Sequence, residues 1–195
     1  MEMKQKKSGL FTVICVVAAI ALGVLLSIVT KDKPPKLALG GTELDLSNLR
    51  ISDLNAAGFY LSNNDNSMPG SSFKEMLSYY QGDDREMSMG GVSVLNRSSS
   101  QTPYVKCEVF EIAAKSRDKE GNPTGLQATY EGEEFFGKTR EELIALFGEP
   151  ADSDSSDKLV YRTKRNQYRT VFYFDSKTDE CYRLEIYRHE DNLVR

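Results

Sequence analysis

Few side chains in this chain are suited to chemistry, and they are scattered. His189 is the sole histidine, and an imidazole working as a base in a Ser/His/Asp arrangement needs partners that hold its orientation, none of which the sequence identifies. The run Asp152-Ser153-Asp154-Ser155-Ser156-Asp157 spaces its carboxylates like a calcium loop. It departs from that loop at two positions, with Asp157 where the turn glycine belongs and Thr163 where the bidentate glutamate belongs. A flexible acidic loop is the expectation. Gly40-Gly41 and Gly90-Gly91 lack the rest of any phosphate-cradling motif. No catalytic residue, metal ligand or cofactor-binding residue is expected, and the chain reads as something other than an enzyme.

The three cysteines and one asparagine carry more information. Cys15 lies within a long apolar run, leaving Cys107 and Cys181 as an even pair in the rest of the chain. In an oxidising compartment a Cys107–Cys181 bridge is one possibility, adding about 2–4 kcal/mol if unstrained, and two separate thiols are the other. Asn96-Arg97-Ser98 has the form of a glycosylation acceptor, relevant only on a eukaryotic secretory route.

The apolar run divides the chain between two solvents. From Leu10 to Val29, 17 of 20 residues are hydrophobic and none is charged, and a helix of that length spans roughly 30 Å, the hydrocarbon thickness of a bilayer. Lysines flank both sides, and a short amino-terminal tail before a first span favours a cytoplasmic start with the remainder outside. A cleaved signal peptide is the competing reading. Beyond residue 30 there are 22 basic and 28 acidic residues, a balance that repels nucleic acid and anionic lipid alike. The expected organisation is a cytoplasmic tail over 1–9, a single-pass transmembrane anchor over 10–30, a linker over 31–41, a first lobe over 42–115, a loop over 116–125 and a second lobe over 126–195.

Local patterns fill those lobes. Ser52 to Gly58 reads as a short helix, and Ser72 to Tyr80 as a longer one, with Ser72 and Glu75 at capping-box spacing. Strand-like runs follow at Val92–Leu95 and Tyr104–Ala113. Further on come a strand at Leu126–Tyr130, then a helix behind the Thr139/Glu142 capping box, stopped by Gly148 and Pro150. Three strands over 159–163, 170–174 and 181–188, joined by short turns, complete an antiparallel pattern. The expected fold class is α+β: a transmembrane helix, then two related lobes, each with short helices packed on an antiparallel sheet. Cys107-Glu108-Val109-Phe110-Glu111-Ile112 and Cys181-Tyr182-Arg183-Leu184-Glu185-Ile186 share their cysteine and their Glu-Ile, which suggests an internal repeat.

Strand alternation turns that match into a surface. Phe110, Ile112, Leu184 and Ile186 are expected on the core face, with Cys107, Val109 and Glu111, and Cys181, Arg183, Glu185 and Tyr187, on the other. Val109, Glu111, Arg183, Glu185 and Tyr187 are thus the candidate binding face.

Phe136 to Leu143, Phe147-Gly148-Glu149-Pro150, Val160-Tyr161, Phe172 to Asp175 and Leu184-Glu185-Ile186 resemble the BamE (SmpA/OmlA) and β-lactamase-inhibitory-protein-like domains. The likeness covers about residues 126–189, and the whole layout resembles membrane-anchored extracytoplasmic proteins of Gram-positive bacteria. No lipobox precedes Cys15, which departs from BamE. The resemblance implies a non-catalytic module that grips a protein or an envelope component with a sheet surface, without a cofactor and without nucleic acid. The alternative is an envelope-acting hydrolase or transferase using sheet-face carboxylates such as Glu111 and Glu185.

Overall fold

A computed structural model describes residues 32–62, 66–82, 86–152 and 157–189. The expected tail and anchor lie outside the described residues, as do residues 153–156 of the acidic run. Among the described residues no helix is long and apolar enough to cross a membrane.

The chain is dominated by antiparallel strands: β1 (Leu37–Leu39), β2 (Thr42–Leu44), β3 (Phe59–Leu61), β4 (Ser67–Met68), β5 (Ser72–Gln81), β6 (Gly90–Asn96), β7 (Thr102–Pro103), β8 (Glu108–Lys115), β9 (Ala128–Tyr130), β10 (Glu133–Glu134), β11 (Lys158–Arg162), β12 (Tyr168–Phe174) and β13 (Cys181–Arg188). Two short helices, α1 (Ile51–Ala56) and α2 (Arg140–Phe147), and a 3-10 turn over Tyr104–Lys106 complete the described elements.

The α+β expectation of helix-packed lobes is therefore corrected. Seven strands form one sheet in the order β11-β12-β13-β8-β6-β5-β3, rather than one sheet per lobe. A second, four-stranded sheet in the order β10-β9-β1-β2 draws on both parts of the chain, because Leu37–Leu39 pairs with Ala128–Tyr130. The supposed linker thus supplies a strand, since Leu37 and Leu39 alternate with Ala38 and are both fully buried.

The repeated hexapeptides meet at the centre of the large sheet. Strands β8 and β13 run antiparallel with Ile112 directly opposite Ile186, the equivalent positions of the two matching segments. On one face of this sheet, Ile112, Ala114, Leu184 and Ile186 join a continuous core with Ile51 and Leu54 of α1, Leu143 of α2, and Leu37 and Leu39 of the small sheet. Phe172 is its aromatic hub. Ring centres of Tyr130, Phe135, Phe147 and Tyr161 lie 5.3, 5.6, 5.6 and 5.8 Å from it, Phe147 stacked and the other three edge-on, arrangements that add to the gain from burial.

Helix α2 begins as its sequence dictates. The Thr139 hydroxyl accepts from the Glu142 amide at 3.4 Å, the Glu142 carboxylate accepts from the Thr139 amide at 2.8 Å, and Gly148 at φ 84° ends it. The equivalent signal at Ser72 misleads. Residues 72–81 form a strand, and the Ser72 hydroxyl donates to the Pro69 carbonyl at 2.7 Å instead of capping a helix. Pairing with β6 along one edge and with β3 at the far end, and the demand for Tyr79 in the core, override a four-residue capping pattern.

Phe172→Ala is expected to cost about 3–5 kcal/mol in urea denaturation, and Thr139→Ala about 1 kcal/mol. Phe73→Ala, at a ring 45% exposed on β5, should change stability by less than about 0.5 kcal/mol.

Candidate functional site

The sheet face turned away from the core carries most of the residues selected from the sequence. Cross-strand register arranges its side chains in three rows. Lys158, Tyr173, Arg183 and Lys115 form one; Val160, Val171, Glu185, Ala113 and Gly91 the next; Arg162, Arg169, Tyr187, Glu111 and Ser93 the third. Glu111, Arg183, Glu185 and Tyr187 therefore share a face.

Val109 does not join them. A bulge shifts the β6–β8 register between Ser93 and Val94, so that Val94 faces Val109 and both belong to the core. Phe110 becomes the extra residue and stacks edge-on against Tyr187 of the outward face at 5.9 Å. A second register shift, beside Tyr173 and Phe174, sets Cys181 opposite Phe174 on the core side. Strict alternation fails at these two points, moving Val109, Cys107 and Cys181 inward and Phe110 outward.

The same pairing rules out the cysteine bridge. Both thiols are free and buried. Each cysteine lies five residues before its isoleucine, and with Ile112 opposite Ile186 on antiparallel strands the two sit toward opposite ends of the pair. At about 3.3 Å per residue that is a separation of roughly 30 Å, against the roughly 7 Å limit for bridged Cα atoms. The Cys107 thiol donates to the Pro103 carbonyl at 3.5 Å and the Cys181 thiol to the Arg183 carbonyl at 3.7 Å. Burial raises the pKa of both, that of Cys181 to about 12.

Both outward carboxylates are engaged. The Tyr173 hydroxyl donates to Glu185 at 2.6 Å, Arg183 donates to the other oxygen of the same carboxylate, and the Arg183 guanidinium lies 5.4 Å from the centre of the Tyr173 ring. Burial and the Glu185 acceptor raise the Tyr173 pKa, keeping it a proton donor. The Ser93 hydroxyl, fully buried, donates to Glu111 at 2.6 Å. Tyr173, Ser93 and Arg169 were not singled out from the sequence, although the alternation that selected β13 applies equally to β12.

Where β5 and β6 meet the first two rows, a depression of about 160 Å³ opens. Gly90, Gly91 and Ala113 contribute its small residues, with Met76, Ser78, Lys115 and Arg183 around them. Gly90 is obligatory there, because a Cβ would lie 1.9 Å from the Ala113 carbonyl oxygen. A larger hollow of about 280 Å³ lies on the small sheet, beside Ala38, Thr129 and Phe136, and is lined by none of the candidate residues.

Other sequence candidates take structural places. Asn96 is buried and donates to the Met68, Pro69 and Ser100 carbonyls at 3.2, 2.8 and 3.0 Å, so its amide is committed to the loop. His189 is exposed, its ring 5.8 Å from that of Tyr187. At the edges of the acidic run, Asp152 lies 3.9 Å from Arg162 and the Asp157 carbonyl accepts from the Phe174 amide at 2.9 Å. Among the described residues no three His, Cys, Asp or Glu side chains are grouped to hold a metal ion. No family model, curated protein or solved structure matches the chain.

The buried thiol has a pH signature. Its folded pKa lies above the ordinary 9.0, so the stability tied to the neutral form is complete below about pH 9 and is lost as pH rises toward 12. Urea titrations should show stability falling across that window, less steeply in Cys181→Ala than in the native chain. Native protein should resist a thiol reagent at Cys181 and react on denaturation. Equal mobility on reducing and non-reducing gels is expected.

Proposed function

We propose that this is a membrane-anchored, extracytoplasmic, non-catalytic binding protein that holds a protein partner on the outward face of its large sheet. The observation that carries the reading is that one face gathers Glu111, Arg183, Glu185, Tyr187, Tyr173 and Phe110. Tyrosine and arginine combine apolar area with hydrogen-bonding ends, the chemistry that dominates energetic centres of protein interfaces. Regular strands also hold such side chains more precisely than loops would.

The anchor belongs to the same proposal and rests on the uncharged apolar run from Leu10 to Val29. The resemblance to β-lactamase-inhibitory-protein-like domains supports use of a sheet surface. The enzymatic alternative is less favoured because Ser93 occupies Glu111, while Tyr173 and Arg183 occupy Glu185. Acid–base catalysis needs a carboxyl within hydrogen-bond reach of the substrate proton, whereas these two serve neighbouring side chains.

A photo-crosslinking amino acid at Tyr187, introduced into the full chain in its host membrane, is expected to give a discrete protein adduct. The same probe at Leu146, 42% exposed on α2, should not. Arg183→Ala should reduce the Tyr187 adduct severalfold. Equal labelling from both positions, or none from Tyr187, contradicts the proposal.

A further inference from the structure

The charge pattern of the outward face differs from that of the chain around it. Residues 31–195 are net acidic, with 22 basic against 28 acidic side chains. Yet the rows over β11, β12, β13 and β8 carry Lys115, Lys158, Arg162, Arg169 and Arg183, Arg162 exposed and the others half-buried, against only Glu111 and Glu185. Two pairs of cations even stand directly opposite each other, Arg162 facing Arg169 and Arg183 facing Lys115. Like charges at such positions weaken a sheet.

Local anions relieve only half of this. Glu185 neutralises Arg183, and Asp152 lies 3.9 Å from Arg162. The other member of each pair has no such relief: among the described residues, the side chains of Arg169 and Lys115 make no hydrogen bond or ion pair. The Arg169 Nε is shielded from solvent and without a hydrogen-bond partner, a state that costs free energy. Lys115 borders the 160 Å³ depression, whose Gly90, Gly91 and Ala113 leave room beside the ammonium. Glu111, the carboxylate in the Arg169 row, lies beyond Tyr187 and accepts from Ser93.

We infer that this face recognises an acidic protein segment, with the Arg169 guanidinium and the Lys115 ammonium as its two carboxylate-accepting positions. The inference rests on the binding reading above and names the partner's chemistry. Arg169 stands opposite Tyr187 on one side of β13 and Lys115 opposite Arg183 on the other, four residues apart along that strand, or roughly 13 Å along it and roughly 10 Å across it, about 16 Å on the diagonal. An extended segment with two acidic residues four positions apart spans about 13 Å, and the long arginine, lysine and glutamate side chains cover the remaining few ångströms. The guanidinium offers a fork that matches a carboxylate, and the ammonium acts as a point charge beside a roomy floor.

The test uses the full chain in mild detergent, with fluorescence anisotropy of an extended Gly/Ser/Thr peptide bearing two Glu residues four positions apart. Saturable binding is expected that weakens with salt and is about tenfold weaker for the Glu→Gln peptide. Arg169→Gln and Lys115→Gln should each weaken binding about tenfold, and together about a hundredfold. Arg169→Lys keeps the charge without the fork and should fall between native and Arg169→Gln, which guards against a simple loss of fold. Equal affinity for the Glu and Gln peptides, native affinity in both single variants, or preferential binding of inorganic phosphate or phosphatidylglycerol vesicles overturns the inference. Loss of peptide binding with the Tyr187 adduct intact removes the acidic-partner inference alone, whereas loss of both removes the binding reading as well.

Discussion

The structure depends on the antiparallel pairing of β8 with β13. This seam joins two groups of strands that are far apart in sequence, β3, β5, β6 and β8 on one side and β11, β12 and β13 on the other, into a single sheet. It also sets Ile112 against Ile186, so the two matching hexapeptides run past each other in opposite directions. Two consequences follow from that geometry. Equivalent residues a few positions from the isoleucines are carried apart, which separates the cysteines. Residues one step from them, Glu111 and Glu185, are brought onto one face as diagonal neighbours across the seam.

A second interlock, β1 against β9, explains why the molecule is not a pair of lobes. The small sheet and both helices all contribute apolar side chains to the same face of the large sheet, and Phe172 ties helix, turn and strand residues together. With one face sealed in this way, the opposite face is free to carry polar and aromatic side chains. Its hydroxyl-to-carboxylate contacts at Tyr173–Glu185 and Ser93–Glu111 satisfy groups that would otherwise be costly to shield from water.

Much of this was legible in the sequence, and the failures have identifiable causes. Helix α2 was readable because Thr139, Glu142 and Gly148 all point the same way and nothing in the tertiary structure opposes them. The last three strands were readable from alternation and short polar turns. The strand over residues 72–81 was not, because a capping pattern of two residues competed with a pairing contributed by residues distant in sequence. Glu111, Arg183, Glu185 and Tyr187 were placed on one face by counting in twos. The count failed at Val109 and Cys181, where one extra residue in a strand reverses every side chain beyond it and has no local mark such as glycine to announce it. The cysteine pair was open from sequence, since a repeat alone does not say whether its copies meet in parallel or antiparallel sense.

The central claim is that β8 and β13 form the seam of one cooperative sheet. Native-state hydrogen exchange of the full chain tests it most directly. The account predicts that amides of Ile112 and Ile186 exchange only through global unfolding, with the same free energy and the same denaturant dependence. Exchange at the two isoleucines with separate free energies, as from two halves that open independently, would contradict it.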